Sequence, residues 1–134
     1  MLAAFALCAP GLPAAADFPS RPIRIVVPYA PGGASETMAR LVADRMAAAL
    51  KQPVIIENRP GGGTVIGASV VAQAPADGYT LFVNASSFVI NSHLISKLPY
   101  DPWKDFTPLT LAASNPHVLV TSNALVRRHI NYET

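Results

Sequence analysis

Residues 22–64 read PIRIVVPYAPGGASETMARLVADRMAAALKQPVIIENRPGGGT, and the order of patterns within them indicates the architecture. Two short β-branched runs, Pro22–Pro28 and Pro53–Asn58, have the composition of buried strands. Between them, Ser35–Leu50 repeats apolar residues at helical spacing. We expect the apolar face of this helix to carry Met38, Leu41, Val42, Met46, Ala49 and Leu50, with Glu36, Arg40 and Lys51 off that face.

The pattern continues beyond this stretch. Thr64–Gln73 predicts a shorter helix closed by a turn at Pro75–Gly78, and Thr80–Asn84 predicts a third strand. The order β-α-β-α-β predicts the α/β class, with parallel strands and right-handed crossover helices. Further along we expect a short helix at Ser87–Ser96, a turn-rich segment at Leu98–Phe106, strands at Leu109–Ala113 and Val118–Thr121, and the start of a helix at Asn123.

Glycine and hydroxyl residues collect where the three predicted strands end. In the first loop, Tyr29–Ser35, two glycines precede Ser35, the expected N-cap, so the first N–H groups of the helix point above the sheet. Unpaired N–H groups and the positive end of the helix dipole favour an anion there. The second loop, Asn58–Thr64, and the third loop, Asn84–Ser87, lie at the same carboxyl edge of a parallel sheet. The sequence therefore predicts an anion-binding edge.

The glycines of the second loop do not complete a nucleotide-binding motif. Gly62–Gly67 begins like a P-loop, but Ala68 and Ser69 stand where lysine and Ser or Thr are required. A dinucleotide fingerprint would need glycine or alanine at Ile66. Neither nucleotide hydrolysis nor dinucleotide binding is supported.

Catalytic and metal-binding patterns also fail. Ser35 is not framed as Gly-x-Ser-x-Gly, because Thr37 occupies the last place. The three histidines are widely spaced, without the pairing of a zinc site, at His93, His117 and His129. Asp101 and Asp105 are interpreted as turn and cap residues. We predict no enzyme activity and no metal.

The first 16 residues, MLAAFALCAPGLPAAA, are uncharged and apolar and end in small residues, so we expect a signal peptide cleaved after Ala16. The single cysteine, Cys8, lies within it, so the mature chain would contain no thiol. About 118 residues would remain, enough for one small domain. The net charge of +2 comes from dispersed basic residues, and this argues against a nucleic-acid partner.

Three runs together resemble the Bug family, the periplasmic solute receptors of tripartite tricarboxylate transporters. They are RPIRIVVPYAPGGASETMARLVADRMAAAL, PVIIENRPGGGTVIGASVVAQAPADGYTLFVN and LPYDPWKDFTPL, within residues 18–121. The resemblance implies the first lobe of a type II periplasmic-binding-protein (Venus-flytrap) fold and a small carboxylate as ligand. It also implies delivery to a membrane permease, with no cofactor and no chemistry on the ligand. It places 17–113 in a partial first lobe and 114–134 in a crossover toward an absent second lobe.

The resemblance also implies which residues contact the ligand. The amides of Gly33, Ala34 and Ser35 would receive a carboxylate, Ser35 and Ser86 would add hydroxyls, and Tyr29 would form a wall. The full predicted set is Tyr29, Gly32, Gly33, Ala34, Ser35, Gly62, Gly63, Thr64, Asn84, Ser86 and Ser87. Many family members carry Asp where this chain has Glu36, whose longer side chain could pair with Arg40 one turn along.

Members of this family are longer than this chain. We therefore expect a fragment or a truncated product that binds carboxylates weakly and exposes apolar surface. Two other interpretations stay open. One is a stand-alone flavodoxin-like module that binds phosphate or a nucleotide, against which the absent P-loop lysine counts. The other is an interaction module that acts through an exposed sheet edge.

Overall fold

The computed structural model describes residues 17–114. Its elements are β1 (Ile23–Val27), α1 (Ala34–Leu50), β2 (Val54–Asn58), α2 (Val65–Ala72), β3 (Thr80–Phe82) and α3 (Ser87–Leu94), with a 3₁₀ turn at Gly62–Thr64 before α2. The predicted β-α-β-α-β order is confirmed. The predicted signal peptide, the boundary of its cleavage, and every prediction beyond residue 114 lie outside the described residues; these include Cys8, His117, Val118–Thr121, Asn123 and His129.

The three strands form one parallel sheet in the order β2-β1-β3. Ile25 of β1 pairs with Ile56 on one side and with Leu81 on the other. β1 is therefore the central strand, and its Ile23, Ile25, Val26 and Val27 are at most 1% exposed. Branched side chains suit a strand with neighbours on both sides, because they pack well on a pleated surface.

Helices cover both faces of the sheet. On one face, α1 packs on Ile25 and Val27 through Ala39 and Ala43. Val26 points to the opposite face, since successive strand residues alternate, and α2 lies against β1 and β3 there. The sheet with a helix on each face is the arrangement expected for an α/β lobe.

The buried stripe of α1 is rotated relative to the sequence prediction. Leu41 was placed on the apolar face but is 59% exposed, whereas Glu36 was placed off it and is only 4% exposed. Ala39 and Ala43 form the centre of the contact instead, because their small side chains let the helix approach the sheet closely.

The strand predicted at Leu109–Ala113 is absent, and that prediction is wrong. Residues 109–113 adopt no regular structure, and Leu109 and Leu111 are 76% and 81% exposed. Their alternating leucines have the period of a strand, but a strand also needs a partner for its backbone groups. Within residues 17–114, the outer edge of β3 pairs with no further strand.

The turn-rich segment 98–106 is confirmed and closes an aromatic cluster. Its members are Phe82, Phe88, Tyr100 and Phe106, with ring centroids 4.9–5.8 Å apart. Asp101 and Asp105 have the predicted turn and cap roles, since Asp101 Oδ1 accepts the Trp103 amide at 2.9 Å and Asp105 Oδ2 accepts the Asp101 amide at 2.7 Å. The segment therefore anchors β3 and α3 to each other through their phenylalanines.

Candidate functional site

The three predicted loops meet at the carboxyl end of the sheet, and Tyr29 connects them. Its hydroxyl hydrogen-bonds the Ser87 Oγ at 2.7 Å and accepts the Ala85 amide at 3.2 Å, both in the third loop. Its carbonyl accepts Asn58 Nδ2 of the second loop at 3.1 Å. The chain leaves β1 into α1 on one face of the sheet and leaves β2 into α2 on the other, and ligands of open α/β sheets bind at the carboxyl ends of such strands.

The backbone amides of Gly33, Ala34 and Ser35, at the start of α1, form a candidate anion-binding site, which we call the amide seat. The helix begins at Ala34 with Gly33 as N-cap, in an extended conformation (ψ 168°) and without a side-chain cap. The prediction that Ser35 is the N-cap is therefore wrong, because the turn at Gly32 (φ +90°) brings the chain into the helix earlier. Within residues 17–114, the amides of Gly33, Ala34 and Ser35 donate to no protein acceptor.

One predicted donor of this loop is occupied by the protein itself. The carboxylate of Glu36 accepts the Gly32 amide and also binds the guanidinium of Arg40, whose Nε lies 2.9 Å from Glu36 Oε1. The hydrogen bond from Gly32, together with that from Arg40, holds the pKa of Glu36 below its usual value of 4.5. The expected pairing of Glu36 with Arg40 is confirmed. The Gly32 amide is bound to Glu36 and is therefore not available to a ligand.

The second loop is fixed from α3. Gly62, Gly63 and Thr64 all have positive φ, and for a β-branched residue such as Thr64 (φ +87°) this conformation is strained. Asn91 of α3 donates to the Gly63 carbonyl and, at 3.1 Å, to Thr64 Oγ1. Thr64 is 5% exposed, so its hydroxyl supports the loop from within.

Sequence reasoning missed Asn91 and Gly67. Asn91 is a buried polar residue that directly follows three apolar residues of α3, Phe88–Ile90, and a polar residue next to this apolar run was the available signal. Gly67 lies where α2 crosses the end of β1, and a Cβ there would be 2.8 Å from Pro28 Cβ and 3.0 Å from the Arg59 carbonyl. No spacing rule in the sequence distinguishes this glycine from its neighbours at 61–63.

The third loop presents polar side chains to solvent. Asn84 and Ser86 are exposed, and neither side chain has a hydrogen-bond partner within the described part of the chain. Ser87 is half-buried and engaged by Tyr29. Within residues 17–114, the donors at this edge that have no protein acceptor include the three amides of the first loop and the Asn84 and Ser86 side chains.

A cavity of about 390 Å³ lies elsewhere, at the C-terminal end of α3. Its lining residues are Ser92, His93, Ile95, Ser96, Leu98, Tyr100, Asp101, Pro102 and Trp103, and none is in the predicted ligand set. Burial raises the pKa of the Tyr100 hydroxyl, which has no hydrogen-bond partner among residues 17–114. The predicted ligand edge, formed by the three loops, therefore lies outside this cavity and is open to solvent. We call this edge the shelf.

Residues 17–114 contain neither a metal-binding cluster nor a helix that could cross a membrane. Their His, Cys, Asp and Glu side chains form no group of three that could hold a metal ion. None of their helices combines the length and the apolar character needed to cross a membrane.

Part of each of three solved structures has the same fold as this chain. MatC from Rhodopseudomonas palustris with bound malate is 46% identical, with a TM-score of 0.64 over 68% of this chain and 31% of that one. An R. palustris protein with adipate is 40% identical, with a TM-score of 0.65 over 69% and 31%. The periplasmic binding protein BugD is 36% identical, with a TM-score of 0.65 over 68% and 30%.

Sequence comparisons agree with the structural ones. Curated relatives are 40–44% identical to this chain, which spans about a third of their length, 31% of one and 36% of another, BugT of Bordetella pertussis. Residues 38–131 match the model of the tripartite tricarboxylate transporter family receptor. The chain belongs to this family of receptors.

Proposed function

We propose that this chain forms one wall of a periplasmic receptor that captures a small dicarboxylate such as malate for a membrane permease. The single observation that carries the proposal is the set of three unpartnered amides, Gly33 to Ser35, at the start of α1. The malate in MatC and the adipate in the second R. palustris structure support a dicarboxylate as the ligand class. The family description supports a permease as partner.

The chemistry of the shelf suits binding rather than catalysis. A hydrogen bond from an amide to a carboxylate contributes about 1.5–3 kcal/mol, so three of them hold one end of a small acid. The three free amides are hydrogen-bond donors, and the two carboxylates nearest to them in the described strands and helices are already paired, Glu36 with Arg40 and Glu57 with Arg24 and Arg59. We therefore infer a receptor that performs no chemistry on its ligand.

A proline substitution at Ala34 tests the amide seat. Ala34 is the first residue of α1, where proline is well tolerated, and the extended Gly33 before it suits a following proline. Ala34→Pro removes one N–H without removing a helical hydrogen bond. We expect malate binding by the 134-residue chain to weaken about tenfold or more, while the free energy of unfolding stays within about 0.5 kcal/mol.

The measurement is an amide NMR titration with malate, for the natural chain, Ala34→Pro and the matched Ala34→Ser, which keeps the N–H. Malate should shift the amides of Gly33 and Ser35 in the natural chain and in Ala34→Ser. Equal affinity of Ala34→Pro and Ala34→Ser would contradict the amide seat. Binding of inorganic phosphate or ADP at these amides in preference to malate would favour the flavodoxin-like alternative.

We also propose that the chain is exported with removal of residues 1–16. The small residues before Asp17 support cleavage after Ala16, and BugD supports a periplasmic location. N-terminal sequencing of the protein from a periplasmic extract should begin at Asp17. A cytoplasmic protein that retains Met1 would contradict export.

A further inference from the structure

The side chain of Glu36 is buried, yet the partner that neutralises it lies at the surface. The Glu36 side chain is 5% exposed and that of Arg40 is 63% exposed. The carboxylate accepts the Gly32 amide and thereby reaches back over the turn that leads into α1. The negative charge of Glu36 therefore lies at the Gly32 turn, directly before the free amides of Gly33–Ser35.

This charge affects any acid that approaches the free amides. A ligand carboxylate at Gly33–Ser35 lies within one to three residues of Glu36, and two like charges a few ångströms apart repel strongly where water is partly excluded. Arg40 counteracts this repulsion, because two of its nitrogens bind the same carboxylate oxygen of Glu36. Without compensation, we expect this repulsion to lower the affinity for an anionic ligand on the order of tenfold.

We propose that Glu36 and Arg40 act as a charge-neutral positioning pair for the ligand loop. Glu36 holds the Gly32 turn through its carboxylate, and Arg40 cancels the charge that this introduces, so that an anionic ligand can approach. The proposal rests on the proposed function and adds two residues to it, neither of which touches the ligand.

The two roles predict different outcomes for neutral substitutions. Arg40→Gln leaves the charge of Glu36 uncompensated, and we expect malate affinity to fall about tenfold at low salt, with a smaller loss at high salt. Glu36→Gln keeps an oxygen that can accept the Gly32 amide and removes the charge, so affinity should not fall. The double variant Glu36→Gln/Arg40→Gln should bind within about twofold of the natural chain.

The experiment is an NMR titration of the 134-residue chain and these variants with malate at two salt concentrations. Arg45→Gln is the matched control, because Arg45 is exposed on the same helix and forms no salt bridge within residues 17–114. A purely structural role for Arg40 would give a lower Tm in Arg40→Gln, no salt dependence of the loss and no recovery in the double variant. A loss of affinity in Arg40→Gln that does not depend on salt would overturn the proposal. So would a loss of affinity that the double variant does not recover.

Hydrogen exchange of the Gly32 amide tests the positioning role without a ligand. We expect protection in the natural chain and in Glu36→Gln, and loss of protection in Glu36→Ala. If Gly32 exchanges equally fast in the natural chain and in Glu36→Ala, Glu36 does not hold the turn and the proposal is wrong. A natural chain that shows this protection but no malate-dependent shift would contradict the proposed function and leave Glu36 as the residue that holds the turn.

Discussion

At the scale of single residues, two side chains fix the loops at the sheet edge, Tyr29 from the predicted ligand set and Asn91 from outside it. Tyr29 joins the first loop to the other two, and Asn91 holds the second loop from a helix 27 residues further along the chain than Thr64. Both are polar groups whose partners are loop backbone or loop side chains. The shape of the shelf therefore depends on a few hydrogen bonds between distant segments.

Asn91→Ala should destabilise the protein. The substitution leaves the Gly63 carbonyl and the buried Thr64 hydroxyl without their donor while Thr64 remains strained at φ +87°, and we expect a loss of about 1–3 kcal/mol. Urea unfolding measures the free energy of unfolding. Ser92→Ala on the same helix is the control for a substitution that leaves the second loop unchanged, and equal stability of the two variants would contradict the role of Asn91.

Glu36 should make stability depend on pH. Its pKa is lower in the folded chain than the usual 4.5, so the unfolded state binds more protons between these two values and stability rises with pH there. The contribution is complete above pH 4.5, declines as pH falls below it, and is lost below the folded pKa. Unfolding midpoints measured down to about pH 3 should depend less on pH in Glu36→Gln than in the natural chain.

The control for this pH series is Asp44→Asn, an exposed carboxylate on the same helix. Asp44 forms no salt bridge within residues 17–114, so this variant controls for the loss of one negative charge from the helix. Identical profiles for Glu36→Gln and the natural chain would show that the carboxylate of Glu36 is not engaged in the folded state.

At the scale of elements, the periodic runs predicted three strands and three helices to within a few residues of their bounds. The spacing of apolar residues predicts an element correctly when the face that carries them is also the face that packs against the core. It failed for the face of α1, where alanine rather than leucine makes the closest contact. It failed again at Leu109–Ala113, because a pairing partner cannot be inferred from the composition of one strand.

The approach of α2 to β1 depends on Gly67. Gly67→Ala should destabilise the protein by about 1–3 kcal/mol although alanine favours helices, because the new methyl group would lie 2.8 Å from Pro28 Cβ. Thermal unfolding measures the change. Asp44→Ala introduces alanine at an exposed helical position and should be neutral or slightly stabilising, so a similar effect of both substitutions would contradict close packing at Gly67.

At the scale of the molecule, the shelf is open, and this should limit the affinity of the chain by itself. Ligand sites normally bury 70–90% of a small molecule, whereas the residues that line this edge are largely exposed. We expect the 134-residue chain to bind malate with a Kd in the millimolar range, on the order of 4 kcal/mol. Calorimetry that gives a micromolar Kd would contradict this expectation.

A chimaera provides the matched comparison. Residues 17–114 would replace the corresponding part of MatC, which is 46% identical. If the shelf is one wall of the site, the chimaera should bind malate at least a hundredfold more tightly than the chain alone, a gain of about 2.7 kcal/mol. Equal affinities would show that the rest of MatC adds nothing to binding at this shelf.

The same chain exposes large apolar side chains around α3 and beyond it. Leu94, Trp103, Leu109 and Leu111 are each at least 75% exposed. Such surface favours association, so we expect the apparent mass in size-exclusion chromatography to rise with concentration. Leu94→Lys should reduce this effect, and a monomer at all concentrations would contradict it.

The central position of β1 has a consequence for synthesis on the ribosome. The strand leaves the exit tunnel first, yet its second neighbour begins 56 residues later, at the Arg24–Thr80 pair. At about 5–20 residues per second, the chain needs roughly 3–11 seconds to produce that neighbour. During this interval β1 can pair with β2 on one side only, so the other edge of the segment IRIVV stays without its partner strand.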